Sequence, residues 1–588
     1  MYFVAVVVDP AYHQEIEGRL TRHFGNLADT GFAGGPTFHR VGDILLAFDG
    51  TSPFAEFSHA NLGFKLSGGY RSEASDGEPT GSWVTATLAE SKLTLETDTY
   101  YPWPMYFGQQ GKTLAAGNDV HAVAIALGLH ELDDRAVVEL AAMQFWILGR
   151  YTTVKGVDRV WPGERLVLPA SAADLTHRVT PERVEQILDY PSLAESQSFD
   201  AEAHAKQTFE SLVGAIGGMK IDSANTVVGL SGGLDSRLTN LAISRAGLTD
   251  VHCFTISLED GRELEIAGEI TKRLGFEHEA LELPEDEDSA VRNGWLLTGG
   301  QAPLNAAAGN LTSYRMHLQH RDPVRIVGAW PADLLIGAFV PSLADFTEPE
   351  NLDLSIKWWL AQTTHRPDQY KLLKHSKFAR KHLRTVRKTI LKQTQESQAP
   401  TAAQRISRWA FAHCAPTFTF ISPARLASQV QEVAPVMSRD FVKNLFGLRG
   451  EDLVERGFYQ RMIYDAGPEL RDIEYHNTGR LLSPEYMPLP RISAPIRLML
   501  KLPHSVFIFA KALQERRVAK HLTPAAPLVQ DLHWDRIYSE HLTKPLQLTD
   551  ELTVDPASEP DVRLRVKFAS STLGCAWTRE YLREFAGK

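Results

Sequence analysis

Six consecutive residues carry the strongest chemical signal in the sequence: Ser231-Gly232-Gly233-Leu234-Asp235-Ser236. Two adjacent glycines let the backbone approach a ligand closely, and a cluster of backbone amides there favours an anion. A carboxylate beside a polyphosphate is repelled unless a cation lies between them, and Mg2+ prefers oxygen ligands. The pattern therefore predicts a site for Mg-ATP, with Asp235 as a metal ligand. The alternative is an ordinary glycine-rich turn in which Ser231 or Asp235 caps a helix.

The residues on either side of this loop predict the elements that position it. An apolar, β-branched run at 226–230 predicts a strand, and residues 237–245 predict a helix. A loop that enters a helix in this way directs the amides of the first helical turn at the ligand. The candidate nucleotide-binding positions are Leu230, Ser231, Gly232, Gly233, Leu234, Asp235 and Ser236.

The chain after the loop continues the same alternation of elements. Apolar runs at 251–258 and 276–281 predict two more strands, and residues 263–274 predict an amphipathic helix between them. The order β-α-β-α-β indicates a parallel, doubly wound sheet. Open sheets of this kind bind nucleotides at the carboxyl ends of their strands, which is where the loop would lie.

The complete loop is similar to the pyrophosphate-loop signature of the N-type ATP pyrophosphatases, and its Leu-Asp-Ser form resembles the asparagine synthetase superfamily. It does not match the phosphate loop of kinases and GTPases, because no Gly-Lys-Ser or Gly-Lys-Thr follows it. The resemblance implies ATP and Mg2+ as cofactors. It also implies that Ile256, in the second strand, contacts adenine.

A second stretch resembles the other signature of the superfamily. Residues 323–327 predict a fourth strand, and Gly328 at its end is a further candidate nucleotide-binding residue. The following Ala332-Asp333, with Leu335 and Gly337, retains part of the superfamily pattern. The resemblance implies that Asp333 is the second Mg2+ carboxylate, opposite Asp235.

Two departures and one basic residue complete the predicted site. Trp330 and Leu334 stand where the synthetases carry acids, and because a tryptophan cannot accept a proton, the base or acyl-pocket role of that acid is absent. Residues 468–482 look like the Pro-Glu-Leu and Asn-Thr-Gly segments of asparagine-synthase-related proteins. A basic residue in this region commonly binds pyrophosphate, and Arg480 is the candidate here.

The N-terminal part departs from the glutamine-dependent members of the superfamily. In those proteins an N-terminal-nucleophile (Ntn) glutaminase begins with a cysteine directly after the initiator Met, whereas this sequence has Tyr2. A phenol with pKa ~10 cannot replace a thiol with pKa ~8.5 as an acyl-accepting nucleophile at neutral pH. We therefore expect no glutaminase chemistry, and expect the attacking amine to be free ammonia or part of the substrate.

Length and pattern predict the domain organisation. A chain of 588 residues is too long for one ordinary core. Residues 1–170 read as mostly β, and the resemblance implies a degenerate glutaminase-like domain with an Ntn-hydrolase-like αββα sandwich. Small and polar residues at 171–200 predict a linker. Residues 201–588 are then an α/β ATP-pyrophosphatase domain with a doubly wound parallel sheet and a helical C-terminal part.

Composition restricts the compartment and the partners. Three separated cysteines exclude a disulfide framework, and with no apolar run of membrane-spanning length we expect a cytoplasmic protein without a membrane partner. A net charge of −11 argues against general nucleic-acid binding. The exception is residues 370–392, which contain nine Lys or Arg and no acid. This run is either a solvated helix or a docking surface for an acidic peptide or nucleic acid.

These observations predict an ATP-dependent, AMP-forming carbon–nitrogen ligase that adenylates a carboxylate for attack by an amine. Among the relatives that lack the cysteine, the favoured resemblance is to the lasso-peptide macrolactam cyclases, which implies a peptide substrate and a partner that is a leader peptidase or a precursor-recognition protein. Asparagine synthetase-like or β-lactam synthetase-like amidation of a small molecule is the second interpretation. A catalytically silent ATP-binding scaffold is the third.

Overall fold

A computed structural model of the chain describes residues 1–52, 55–60, 63–143, 147–185, 187, 200–219, 221–256, 261–281, 287–302, 304, 324–328, 332, 335, 337, 340, 344–363, 377–417, 421, 430–453, 457–476, 479–483, 491, 529–550, 552–558 and 562–587. Its strands, in chain order, are β1 (Phe3–Val7), β2 (Pro36–Val41), β3 (Ile44–Asp49), β4 (Ala55–Ala60), β5 (Gly63–Glu73), β6 (Pro79–Ala89), β7 (Lys92–Thr97), β8 (Tyr106–Gln110), β9 (Thr113–Gly117), β10 (Val157–Arg159), β11 (Glu164–Pro169), β12 (Glu182–Arg183), β13 (Thr226–Gly229), β14 (His252–Ile256), β15 (Glu277–Leu281), β16 (Val324–Ile326), β17 (Gln431–Val433), β18 (Leu546–Gln547) and β19 (Thr553–Val554).

The α-helices of the described residues are α1 (His13–Asp29), α2 (Val120–Leu127), α3 (Asp134–Met143), α4 (Ala201–Gly218), α5 (Leu234–Arg245), α6 (Gly261–Leu274), α7 (Glu287–Leu297), α8 (Leu352–Thr363), α9 (Lys377–Gln395), α10 (Ala402–Trp409), α11 (Arg439–Phe446), α12 (Gly450–Leu453), α13 (Gly457–Ala466), α14 (Val529–His541) and α15 (Val562–Phe585). A π-helical turn, Ala410–Cys414, continues α10. None of the helices in these ranges is both long and apolar enough to cross a membrane.

The N-terminal part contains two six-stranded antiparallel sheets. The first has the order β10-β8-β9-β1-β3-β2 and the second the order β12-β11-β7-β6-β5-β4. β1 is buried along its whole length because it lies between two neighbours, β3 and β9. Helices α1 and α2 pack on the first sheet. The patterns of apolar residues at 2–8, 43–50 and 92–97 predict strands, and these are confirmed as β1, β3 and β7. The complete αββα layer order stays a prediction.

The C-terminal part contains a parallel sheet with the order β15-β14-β13-β16-β17. All four neighbouring pairs are parallel, which confirms the parallel sheet and the mixed α/β class. The chain runs from β13 outward to β15 on one side, and then returns to β16 and β17 on the other side. This order places the first strand in the middle, as in doubly wound sheets.

The two parts of the chain share buried surface. Leu573 and Leu582 of α15 lie in the same buried cluster as Val4 and Leu20 from the N-terminal part. Trp295 of α7 joins this cluster, and its indole N–H donates to the carbonyl of Gly574 at 3.1 Å. Within the segment 171–200, which was predicted as a linker, β12 pairs with β11 and so extends the second sheet.

Candidate functional site

The predicted phosphate loop lies at the centre of the parallel sheet. β13 ends at Gly229, and residues 230–233 connect it to α5. β13 lies between β14 and β16. The next two strands of the chain, β14 and β15, lie on one side of β13, and the later strands β16 and β17 lie on the other side. A crevice forms outside the carboxyl ends of the strands where the strand order reverses in this way. The loop therefore emerges at the position where sheets of this type bind nucleotides.

Two serines close the loop through hydrogen bonds to each other and to the backbone. The Ser236 hydroxyl donates to the Ser231 carbonyl at 3.0 Å and accepts the Ser231 N–H at 3.0 Å. The two hydroxyl oxygens are 2.9 Å apart, and the Ser231 hydroxyl accepts the Gly233 N–H at 3.3 Å. Because both hydroxyls already hold the loop, their first role is to fix its shape.

The start of α5 leaves its first turn without a side-chain cap. Gly233 is the N-cap residue, in extended conformation with φ −82° and ψ 178°, and it has no side chain that could accept from the helix amides. The positive end of the helix dipole and these amides favour an anion at this place. Asp235 lies half-buried in the same turn. Its carboxylate is a suitable Mg2+ ligand by donor chemistry.

Gly232 touches a turn from a distant part of the chain. Its carbonyl accepts the His476 N–H at 2.9 Å. A Cβ at Gly232 would lie 2.7 Å from the Cβ of His476, so only glycine fits. The turn is closed by hydrogen bonds from the Tyr475 N–H to the Arg480 carbonyl at 3.0 Å and from the Gly479 N–H to the Tyr475 carbonyl at 2.9 Å. The turn that carries the predicted Arg480 therefore lies against the loop, and Arg480 itself is exposed.

Arg237 fixes this turn to the loop helix, and the sequence reasoning missed it. Its side chain is fully buried and donates to the carbonyls of Ile473 and Glu474, each at 2.9 Å. Burial lowers the pKa of the guanidinium to about 10, which still leaves it charged at neutral pH. The available signal was an arginine directly after Ser236, on a helix whose neighbouring Leu234 and Leu238 are apolar.

Three further arginines hold the segment 466–474 on α5 and α6. Their partners are the carboxylates of Glu469, Asp472 and Glu474, which pair with Arg245, Arg273 and Arg262, respectively. These pairs are exposed, and exposed ion pairs contribute little individually. Together with buried Arg237 they define the position of the segment that leads into the turn.

The second strand supports the base of the loop. The Thr255 hydroxyl donates to the Leu230 carbonyl at 2.7 Å, so His278 Nε2–H must donate to the Thr255 oxygen, 2.8 Å away. Burial lowers the pKa of His278, consistent with a neutral ring in this structural role. Ile256 ends β14 and packs half-buried beside Phe254. It therefore stands at the carboxyl edge of the sheet, where adenine contact was predicted.

The other side of the crevice is described only in part. Gly328 follows β16, after Val327 donates its N–H to the Val433 carbonyl at 2.8 Å. Asp333, Trp330 and Leu334 lie outside the described residues. In the part of the chain that the structure describes, no three His, Cys, Asp or Glu side chains form a metal-binding group. The pairing of Asp235 with Asp333 on Mg2+ stays a prediction.

The N-terminal residues are enclosed. The Tyr2 side chain is fully buried and its hydroxyl donates to the Leu297 carbonyl of α7 at 2.9 Å. Burial lowers the pKa of the Met1 ammonium to about 5, although Asp49 opposes this shift. The phenol thus contributes to the contact between the N-terminal part and α7.

Comparison with known proteins identifies one segment of the chain. Among 24 matching chains of solved structures, one described as "Structure of the allosteric regulatory enzyme of purine biosynthesis" aligns with 48% of this chain and 80% of its own length, at 9% identity and a TM-score of 0.21. Curated protein sequences yield no significant match. Residues 212–309, which contain the loop, α5, β14, α6 and β15, match the asparagine synthase family model. The similarity to the asparagine synthase family therefore concerns this segment.

Proposed function

We propose that the chain is an ATP-dependent, AMP-forming carbon–nitrogen ligase. The observation that carries this proposal is the loop from Ser231 to Ser236, which leaves the central strand β13 at the point where the strand order reverses. The loop lies within the segment that matches the asparagine synthase model. The uncapped first turn of α5 supports binding of a polyphosphate at this loop.

The proposed reaction has two balanced steps. An oxygen of the substrate carboxylate attacks the α-phosphorus of ATP, and the bond to pyrophosphate breaks, which gives an acyl-adenylate. A substrate amine then attacks the acyl carbon, loses a proton and displaces AMP. The amides of the loop and of α5 bind and orient the phosphates, and Arg480 would stabilise the departing pyrophosphate. Asp235 and Asp333 would hold Mg2+. When bound, this ion would supply positive charge that offsets the negative charge of the triphosphate.

The amine comes from the substrate or from free ammonia in this proposal. Tyr2 stands at the position of the glutaminase nucleophile, and its hydroxyl is buried and bonded to a carbonyl of α7. Such a phenol is neither ionised at neutral pH nor accessible to an acyl group. This geometry supports an N-terminal part that acts as scaffold rather than as a source of ammonia.

The finer proposal is closure of a macrolactam in a peptide, with a precursor peptide as substrate and a leader peptidase or precursor-recognition protein as partner. It is favoured by the loss of an acid at Trp330, which permits a larger and less polar acyl pocket. Amidation of a small molecule is the alternative, and an ATP-binding scaffold without activity is the outcome in which both fail.

Pyrophosphate exchange tests the proposal at its first step. We expect labelled pyrophosphate to enter ATP only when a carboxylate substrate is present. Peptides with a free N-terminal amine and an internal Asp or Glu would be compared with aspartate and other small acids. Loss of one water from the peptide mass would identify the macrolactam.

The variant that carries the test is Asp235→Ala, which we expect to reduce exchange by about 100-fold or more because it removes a metal carboxylate. Asp250→Ala, at an exposed acid beyond α5, is the matched control and should retain full exchange. Two results together would show that the ligase proposal is wrong. The first is that ATP binds but none of the tested carboxylic acids supports exchange, and the second is that Asp235→Ala binds ATP as well as the unchanged chain does.

A further inference from the structure

A row of basic side chains follows one face of α9. Five of its Lys and Arg residues are exposed, and we call them the basic stripe: Lys377, Lys381, Arg384, Lys388 and Lys392. Their spacings of three and four residues place them within about 80° of the helix circumference, over a length of about 22 Å. No acidic residue occurs in α9.

The opposite face of α9 fixes the orientation of the stripe. Val386 and Ile390 are buried in the core of the C-terminal part. His382 Nε2 lies 2.8 Å from a carboxylate oxygen of buried Glu139 in α3, and Gln393 donates to the Leu148 carbonyl at 3.1 Å. Helix α9 thus bridges both parts of the chain through one face. The basic stripe must therefore point to solvent.

The stripe differs in its ion pairs from a cation beside it. Arg387, on the flank of the same helix, pairs with Asp353 of α8. No ion pair joins any of the five stripe residues to a residue in the described ranges. Other cations of the C-terminal part, such as Arg245 and Arg273, do have a carboxylate partner. Five adjacent positive charges repel one another, and an added anion would relieve this repulsion.

We propose that the basic stripe is a docking surface for an acidic peptide segment. In an extended peptide, alternate side chains point the same way and follow each other at about 7 Å. Neighbouring stripe residues rise by about 4.5 to 6 Å along α9. Four acidic side chains at alternate positions of a bound peptide span about 20 Å, which is close to the length of the stripe. The surface does not depend on the reaction at the nucleotide loop.

Two features favour a peptide over a nucleic acid. The whole chain carries a net charge of −11, so a long polyanion that extends beyond the stripe is repelled. Single strands are bound by aromatic rings on which bases stack, and the exposed positions of α9 contain no aromatic residue. Phe378, the aromatic residue of this helix, is half-buried and stacks on His382 with ring centroids 5.9 Å apart.

Fluorescence anisotropy with the full chain tests this surface. The probe is a labelled peptide in which five Glu alternate with Thr, and the uncharged control replaces each Glu by Gln. A single-stranded oligonucleotide with the same number of charges tests the other polymer. We expect binding of the Glu peptide that weakens as salt is raised, and no binding of the Gln peptide.

Charge reversal locates the binding. The triple variant K381E/R384E/K388E should weaken binding by about tenfold or more, because three attractive contacts become repulsive. The variant K92E/K112E/K544E has the same net charge but changes exposed lysines elsewhere, and it should bind within about twofold of the unchanged chain. A shared melting temperature would show that both variants fold.

Several results would overturn the proposal, and three of them come from the measurements above. They are an absence of binding to the Glu peptide, an equal loss of affinity in both triple variants, and tighter binding of the oligonucleotide than of the peptide. The milder K381Q/R384Q/K388Q variant removes the charges without reversing them. If it binds the Glu peptide as tightly as the unchanged chain does, the stripe is not the docking surface.

Discussion

Gly232 is the residue at which the nucleotide loop and the distant turn at 475–480 meet. The backbone of the loop approaches that of the turn so closely that the Gly232 carbonyl accepts the His476 N–H. A Cβ at this position would contact the Cβ of His476, which cannot rotate away because it is fixed to the backbone. The glycine is therefore required by a contact between two segments as well as by the approach of a ligand.

We expect Gly232→Ala to displace the turn and to abolish most pyrophosphate exchange. The Cβ–Cβ distance of 2.7 Å is too short for two carbons, so either the loop or the turn must move. The same displacement should lower the melting temperature, because overpacking in a tight contact costs about 1–3 kcal/mol. Exchange assays and thermal unfolding measure the two effects separately.

Gly217→Ala is the matched control for this substitution. Gly217 is an exposed residue of α4, and a Cβ added there would meet no atom within 4 Å. Because alanine is the better helix former, this change should leave exchange unchanged and raise stability slightly. Equal effects of the two substitutions would show that the contact with His476 has no role.

Arg237 illustrates what a residue pattern does not reveal. The loop signature contains residues that are expected to contact phosphate. Arg237 has a different role, because it donates hydrogen bonds to the carbonyls of Ile473 and Glu474 in another segment. The residues around Arg237 in the sequence give no indication of its partners, since these lie more than 230 residues away. Its role in positioning this segment is visible only in the folded structure.

At the scale of elements, local patterns were sufficient for β1, β13 and α5. Each of these has a continuous apolar run or a clear start signal in the sequence. Helix α1 has buried residues at Ile16, Leu20, Phe24 and Leu27, so the sequence also contains the apolar spacing of this helix. The three-residue strand β17 had no local signal, because its pairing with β16 joins residues more than 100 positions apart.

Helix α15 is the element whose role the sequence concealed most. It ends the chain, yet Leu573 is 2% exposed and lies in the core cluster of the N-terminal sheets. The Tyr581 hydroxyl lies 2.8 Å from His23 Nδ1 and accepts the amide of Asn26 at 3.0 Å, both in α1. The N-terminal sheets therefore depend on the last helix for part of their core.

We expect Leu573→Ala to destabilise the protein by about 2–4 kcal/mol, because it removes a buried side chain and leaves a cavity. Glu580→Ala changes an exposed residue of the same helix and should alter stability by less than about 0.5 kcal/mol. Urea unfolding followed by tryptophan fluorescence measures both. A loss for Leu573→Ala no larger than that of the control would mean that α15 is not part of the core.

For the whole molecule, the contact between the two parts includes two buried histidines. His121 of α2 faces Trp295 and Tyr581, with ring centroids 5.3 Å from each. His413, in the π-helical turn, lies 5.1 Å from Trp161. Neither ring has a hydrogen-bond partner among the described residues. Both histidines are therefore neutral and pack as apolar side chains.

The environment of each ring opposes protonation. Burial lowers the pKa of His121 to about 4, with nearby His23 adding to the shift and Asp119 opposing it. Burial also lowers the pKa of His413 to about 3, and the positive charges of Arg150 and Arg183 add to it. In the unfolded chain both groups return to a pKa near 6.5. Between these values the unfolded state binds more protons than the folded state, so acid favours unfolding.

We therefore expect stability to fall as pH decreases below about 6.5, by up to about 1.4 kcal/mol per pH unit for each histidine. His121→Leu and His413→Leu remove the titrating group without breaking a hydrogen bond to a described residue. Each variant should lose about 2 kcal/mol less than the unchanged chain between pH 7 and pH 5. His177→Leu, at an exposed position, should keep the original pH dependence. Urea unfolding at both pH values measures these differences, and identical slopes for all four proteins would show that acid does not act at the contact between the two parts.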